Sequence, residues 1–170
     1  MADIKVKYPA NSTVALTHAL ASLASDTNLL AGRASTAVDN TSNQDLDHLL
    51  SGVIRMGSTP TVNTQIEVWI YAPISIASGT PTYPDGITGT DAAKTMTSAN
   101  VKFSALRLAT TIIVDATASR DFSIAPISIA GLFGGVLPPF WGVFLTQNTG
   151  AALNATQVAL QYNRIQSQTV

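Results

Sequence analysis

Thr64-Gln65-Ile66-Glu67-Val68-Trp69-Ile70-Tyr71-Ala72 carries the plainest periodicity in the chain. Ile66, Val68 and Ile70 alternate with Glu67, Trp69 and Tyr71, the two-residue repeat of a β-strand with one face on a core. The stretches around it read the same way. Upstream, Ile4, Val6 and Tyr8 alternate with Lys5 and Lys7 until Pro9 stops the run. Val14 and Leu16 continue an extended path, Ala34 to Val38 is a short strand, and Leu46 to Met56 is a long one with a bulge or bend at Ser51-Gly52. Downstream, Val101 to Val114, Phe122 to Ile129 (with Pro126 marking an edge or bulge), Phe140 to Thr146 and Val158 to Ile165 complete the set. His18 to Leu30 leaves a short helix and an irregular strand equally open, since Leu16, Leu20 and Leu23 have helical spacing but Ser25-Asp26-Thr27-Asn28 reads as a turn.

About eight or nine strands, uneven turn signals and no internal repeat predict an all-β fold. It is expected as a single β-sandwich or jelly roll with at most one short helix. Residues 1–11 form an N-terminal extended arm and residues 12–170 the sandwich. A long loop at 73–100, rich in Gly, Pro, Ser, Thr and Asp, interrupts it, and loops of that length usually carry an interaction.

Composition supports the class. Of 170 residues 46% are hydrophobic and 11% charged, against about 25% charged in average domains. Disorder needs the opposite balance. A chain with Glu67 as its single glutamate is a poor candidate for long solvated helices. At this length one core can bury roughly 70% of the unfolded surface. With net charge −1 and Lys and Arg scattered, no nucleic-acid partner is expected. The absence of cysteine removes thiol catalysis, Cys-based zinc sites and disulfides. The stretch MADIKVKYPANST has no apolar region of a secretion signal, and Ile124 to Leu145 is broken by Pro126, Gly clusters and Pro138-Pro139, so no membrane segment is expected.

No catalytic, metal or cofactor-binding residues stand out. His18 and His48 have many serines nearby in sequence but no Gly-x-Ser-x-Gly elbow. His48 reads as a partly buried, locally bonded histidine, and Glu67 as an outward-facing strand carboxylate. Asp85 to Asp91 has a calcium-loop flavour without the alternate acids and terminal Glu that a real loop uses. Gly131 to Gly135 lacks the lysine and helix of a phosphate cradle. Three features read instead as contact devices. The arm, with Ile4, Lys5, Val6, Lys7 and Tyr8, can join its own sheet edge or a neighbour's. Pro139, Phe140 and Trp141 join rigid proline to two large aromatics, as an interface anchor or as core. The long loop presents Tyr83 and Asp85.

Leu20 to Asn40 (LASLASDTNLLAGRASTAVDN), Ile66 to Tyr71 (IEVWIY) and Leu132 to Gly150 (LFGGVLPPFWGVFLTQNTG) resemble small jelly-roll virion proteins of tailed bacteriophages. The resemblance is diffuse, runs through most of the chain, and carries no catalytic signature. It implies a non-enzymatic capsid cement or decoration protein, made in the host cytoplasm and placed on the outer capsid surface. Its partners would be the major capsid protein and itself, as a homotrimer. A phage tail or baseplate component is the alternative, as is a glycan-binding receptor-recognition module built on Tyr83-Pro84-Asp85 and Trp69.

Overall fold

The computed structural model describes residues 4–10 and 12–169. Two antiparallel sheets face each other across one apolar core, as the alternating stretches predict. The arm sheet runs in the order β1 (Ile4–Lys7), β13 (Gln161–Thr169), β5 (Asp47–Arg55), β11 (Asp121–Ser128), with β2 (Thr13–Ala15) also on β13. The central sheet runs β10 (Arg107–Ile113), β6 (Gln65–Tyr71), β12 (Phe140–Gln147), β3 (Ala31–Ala34), β9 (Ala92–Thr95), with β4 (Val38–Asp39) also on β12. Leu50 and Ile54 of β5, Ile124 of β11 and Tyr162 of β13 meet Ile66, Val68 and Ile70 of β6 and Trp141, Val143 and Leu145 of β12. These are one parity of each strand, which is why alternation was the decisive signal.

The opposite parity of the central sheet is buried too. Trp69 and Tyr71 of β6, Phe144 of β12 and Ala34 of β3 form a second cluster with Tyr83, Ile87, Met96 and Leu106. The cover is the segment expected as a long loop. Residues 73–100 contain a hairpin of β7 (Ser75–Ala77) and β8 (Thr80–Thr82), a 3-10 turn at Pro84–Gly86 and edge strand β9, and helix α1 (Ala99–Ala105), which begins at their end, completes the cover. The molecule therefore has three layers, with β6 and β12 enclosed on both faces and the arm sheet bare on its outer face. Enclosure on both faces brings β6 and β12 close to the cover and tolerates no excess bulk. Gly142 sits opposite Tyr71, and a Cβ there would strike the tyrosine ring.

The described residues form thirteen strands, the additional ones being pieces of two to four residues too short to show a period. Val101 to Val114 is not one strand. Ser98 accepts a hydrogen bond from the Val101 amide and caps α1, and β10 begins after it. A single turn, α2 (Ile129–Leu132), follows β11. His18 to Leu30 is neither helix nor strand. The Asp26 carboxylate accepts from the amides of Asn28, Leu30 and Ala31, holding a turn where a helix would need those amides paired elsewhere. Edge strand β11 carries its irregularity between Ile124 and Ile127, around Pro126.

Candidate functional site

The site is the end of the arm sheet where β1 meets β13. Ile4 pairs with Thr169, Lys5 with Gln168, Val6 with Ser167 and Lys7 with Gln166. β5 stops pairing with β13 at Asp47 opposite Ile165, so this ribbon of two strands runs past the rest of the sheet. Among the described residues nothing packs on either face. Ile4, Val6 and Tyr8 are 79%, 60% and 70% exposed, in one row on the outer face, and Lys5 and Lys7 are exposed on the other. The expected arm is thus an edge strand of its own chain's sheet, held among the described residues by main-chain bonds. A two-stranded ribbon with no covered face is marginal in water.

A buried polar knot anchors the root of the ribbon. Asp45, whose side chain is fully enclosed, accepts from Arg164 Nε and Nη2 (2.7 and 3.1 Å), Gln166 Nε2 (2.7 Å) and His48 Nε2 (2.9 Å). Burial alone would raise this carboxyl. The hydrogen bonds from Arg164, His48 and Gln166 outweigh it and bring the pKa down to about 2. On the other side of the imidazole, Trp141 Nε1 donates to His48 Nδ1 at 2.9 Å. An indole nitrogen can only donate, so Nδ1 is bare and the proton sits on Nε2. Desolvation pulls His48 below its usual value, against the raising influence of Asp45. The Tyr162 ring stacks over it at 4.4 Å. The same residues that fix the inner end of β13 thereby fix where the ribbon leaves the body.

The other expected contact residues lie elsewhere, and most are interior. Trp141 is fully buried in the core, because parity on β12 sends it inward with Val143 and Leu145. Phe140 packs half-buried against the second cluster, and of the segment's contact residues only Pro139 is exposed. Tyr83 is 7% exposed and meets Tyr71 edge-on at 5.2 Å. Asp85 accepts from Thr97 N and Oγ1 (2.8 and 2.5 Å) and pairs with Lys94, so it clasps the cover rather than facing outward. Asp91 is occupied by Arg33 and by the Ala19 amide. With Tyr83 and Trp69 both interior, the grouping named for glycan binding presents no exposed aromatic platform.

Glu67 is the largest correction. It is 6% exposed, not outward-facing, because its face of β6 is roofed by α1. Lys102 Nζ reaches Glu67 Oε2 at 2.7 Å and the Leu29 carbonyl at 2.7 Å, and lies 5.0 Å from the Trp69 ring. Trp69 Nε1 and Gln65 Nε2 also donate to Glu67, both at 2.8 Å. A single Glu in an apolar run, with a Lys between Val101 and Phe103, was the available sign of this pair.

Two further features had no sequence signal. Residues 18–21 and 155–159 line an open cavity of about 330 Å³. There His18 Nε2 bonds to the Arg33 carbonyl at 3.0 Å while Nδ1 is buried without a partner among the described residues. Hairpin β7–β8 pairs with neither sheet and exposes Ile74 and Ile76.

Among the described residues, six of the nine Lys and Arg side chains are ion-paired: Arg33, Arg55, Lys94, Lys102, Arg120 and Arg164. The other three, Lys5, Lys7 and Arg107, are exposed. No family model, curated protein or solved structure matches the chain.

Proposed function

We propose that the chain is a non-enzymatic virion structural protein, a capsid cement protein that braces neighbouring capsomers on the outer shell of a tailed-phage head. The observation that carries this reading is the bare ribbon. An uncovered row of Ile4, Val6 and Tyr8 on an unpaired sheet edge is suited to main-chain and apolar contact with protein. The internal pairing of most charge supports it, because contact surfaces poor in charge assemble with little dependence on salt. The resemblance of Leu20 to Asn40, Ile66 to Tyr71 and Leu132 to Gly150 to jelly-roll virion proteins supplies the setting. In that setting the partners are the major capsid protein and further copies of this chain, in a homotrimer. Many weak copies of one contact add up to a strong brace.

Gel analysis of separated heads and tails, with labelled particles viewed by electron microscopy, tests the placement. Head location with loss of heat resistance on removal of the protein is the expected result. Confinement to tails would end the cement reading in favour of a tail or baseplate component. That second reading is favoured by the projecting β7–β8 hairpin, whose exposed Ile74 and Ile76 resemble an inserted contact element of a ring.

A further inference from the structure

The connection between β1 and β2 is longer than its path requires. Both strands lie along the same edge of β13, Lys7 opposite Gln166 and Thr13 opposite Asn163. Two residues of β13, Arg164 and Ile165, separate those pairings. On the other side five residues, 8–12, separate them. A continuous edge strand would need two, so three are surplus. Five residues drawn straight span roughly 17 Å, and Pro9 biases Tyr8 toward an extended conformation. The arm is tethered with slack.

Among the described residues the ladder is the main thing that holds the arm at home. All four β1 residues are exposed, and β13 is the one element that β1 contacts at length. Such a ladder is made of main-chain bonds, which do not depend on which copy supplies the strand. From these observations we propose that β1 is an exchange strand: it leaves its own β13 and completes the same register on β13 of a second copy. The occupant is specified by the ladder already present, since the edge that fits Ile4–Lys7 is Gln166–Thr169 of this same sequence. Exchange of an identical element conserves every native contact and alters only the linker path. At high local concentration the second copy competes on equal terms with the first. A further gain is available in the exchanged form. Two ribbons brought together can place their Ile4, Val6 and Tyr8 rows against each other, whereas one ribbon alone leaves them in water. The proposal rests on reading the chain as an assembling subunit, but not on where an assembly sits on a particle.

The absence of cysteine makes the test free of background. Val6 and Ser167 are directly opposite, so Val6→Cys and Ser167→Cys are prepared as separate variants, mixed and oxidised. Exchange predicts a disulfide-linked species of twice the chain mass containing one of each variant. The double variant Val6→Cys/Ser167→Cys closing only within single chains at every concentration, with no mixed species from the single variants, overturns the proposal. If neither pair closes, light scattering of the full chain and of a chain lacking residues 1–7 decides. Association that disappears without the arm supports exchange. A full chain that stays monomeric, or equal association without the arm, overturns it. Capsid localisation plays no part in these readouts, so failure here leaves the cement reading to its own test.

Discussion

Replacing His18 with Gln should remove most of the stability that the fold loses between pH 7 and pH 4. His18 Nε2 donates to the Arg33 carbonyl, and its Nδ1 is buried with no partner among the described residues. Burial is the main cause that lowers its pKa from 6.5 to about 4, outweighing the raising effects of that carbonyl and of Asp91. The folded value lies below the unfolded one, so between them the unfolded chain binds more protons. Stability from this group is complete above about pH 6.5 and falls as pH drops toward 4, then falls no further. A shift of about two and a half units, at 1.36 kcal/mol each, makes the loss at pH 4 about 3 kcal/mol. In a chain of this length that is on the order of 6–12 °C in Tm. Glutamine can still donate an amide N–H to Arg33 but does not titrate. Urea unfolding at pH 7, 6, 5 and 4, followed by the fluorescence of buried Trp69 and Trp141, gives the two slopes. The wild type should lose about 3 kcal/mol more than His18→Gln across that range, with His48 leaving a smaller residual slope in both. Equal losses in the two proteins would refute the argument.

Trp141→Phe should raise the His48 pKa, visible by NMR titration, because the indole N–H that demands a bare Nδ1 is gone. Lys102→Met should cost about 3–5 kcal/mol by stranding Glu67, and Glu67→Leu/Lys102→Met should recover much of that in the same denaturation assay. Gly142→Ala should cost about 1–3 kcal/mol through collision with the Tyr71 ring. Val6→Thr should leave the stability of the isolated chain within about 0.5 kcal/mol, because Val6 is exposed, while weakening attachment to particles.

How much of this was readable beforehand depends on which neighbours a residue has. β5, β6, β11 and β12 were legible because one face of each meets the main core, and alternation reports a two-sided environment. The cover over the central sheet was not. Trp69 and Tyr71 fit the alternating pattern as outward residues, and only their size and apolarity hinted at a second buried face. The segment that buries them is dominated by Gly, Pro and Thr and shows no period, so its strands looked like loop. α1 announced itself by Ser98 alone, a cap signal lost among many serines. The arm residues were legible as a strand with one apolar side, but its partner edge was not, because pairing with β13 spans nearly the whole chain. The inward turn of Trp141 follows from strand parity once β12 begins at Phe140, which the preceding two prolines obscured.

The pairing of Ile4 with Thr169 brings the two ends of the described chain together on one ribbon. A short peptide link there would turn the ribbon into an ordinary β-hairpin, and the chain could be reopened at the projecting turn between β7 and β8 without cutting either core. Such a circular permutant would keep both sheets and lose the free strand end on which every arm contact depends. One rearrangement of covalent order would thus separate what the body does from what the arm does, with the amino-acid content of both unchanged.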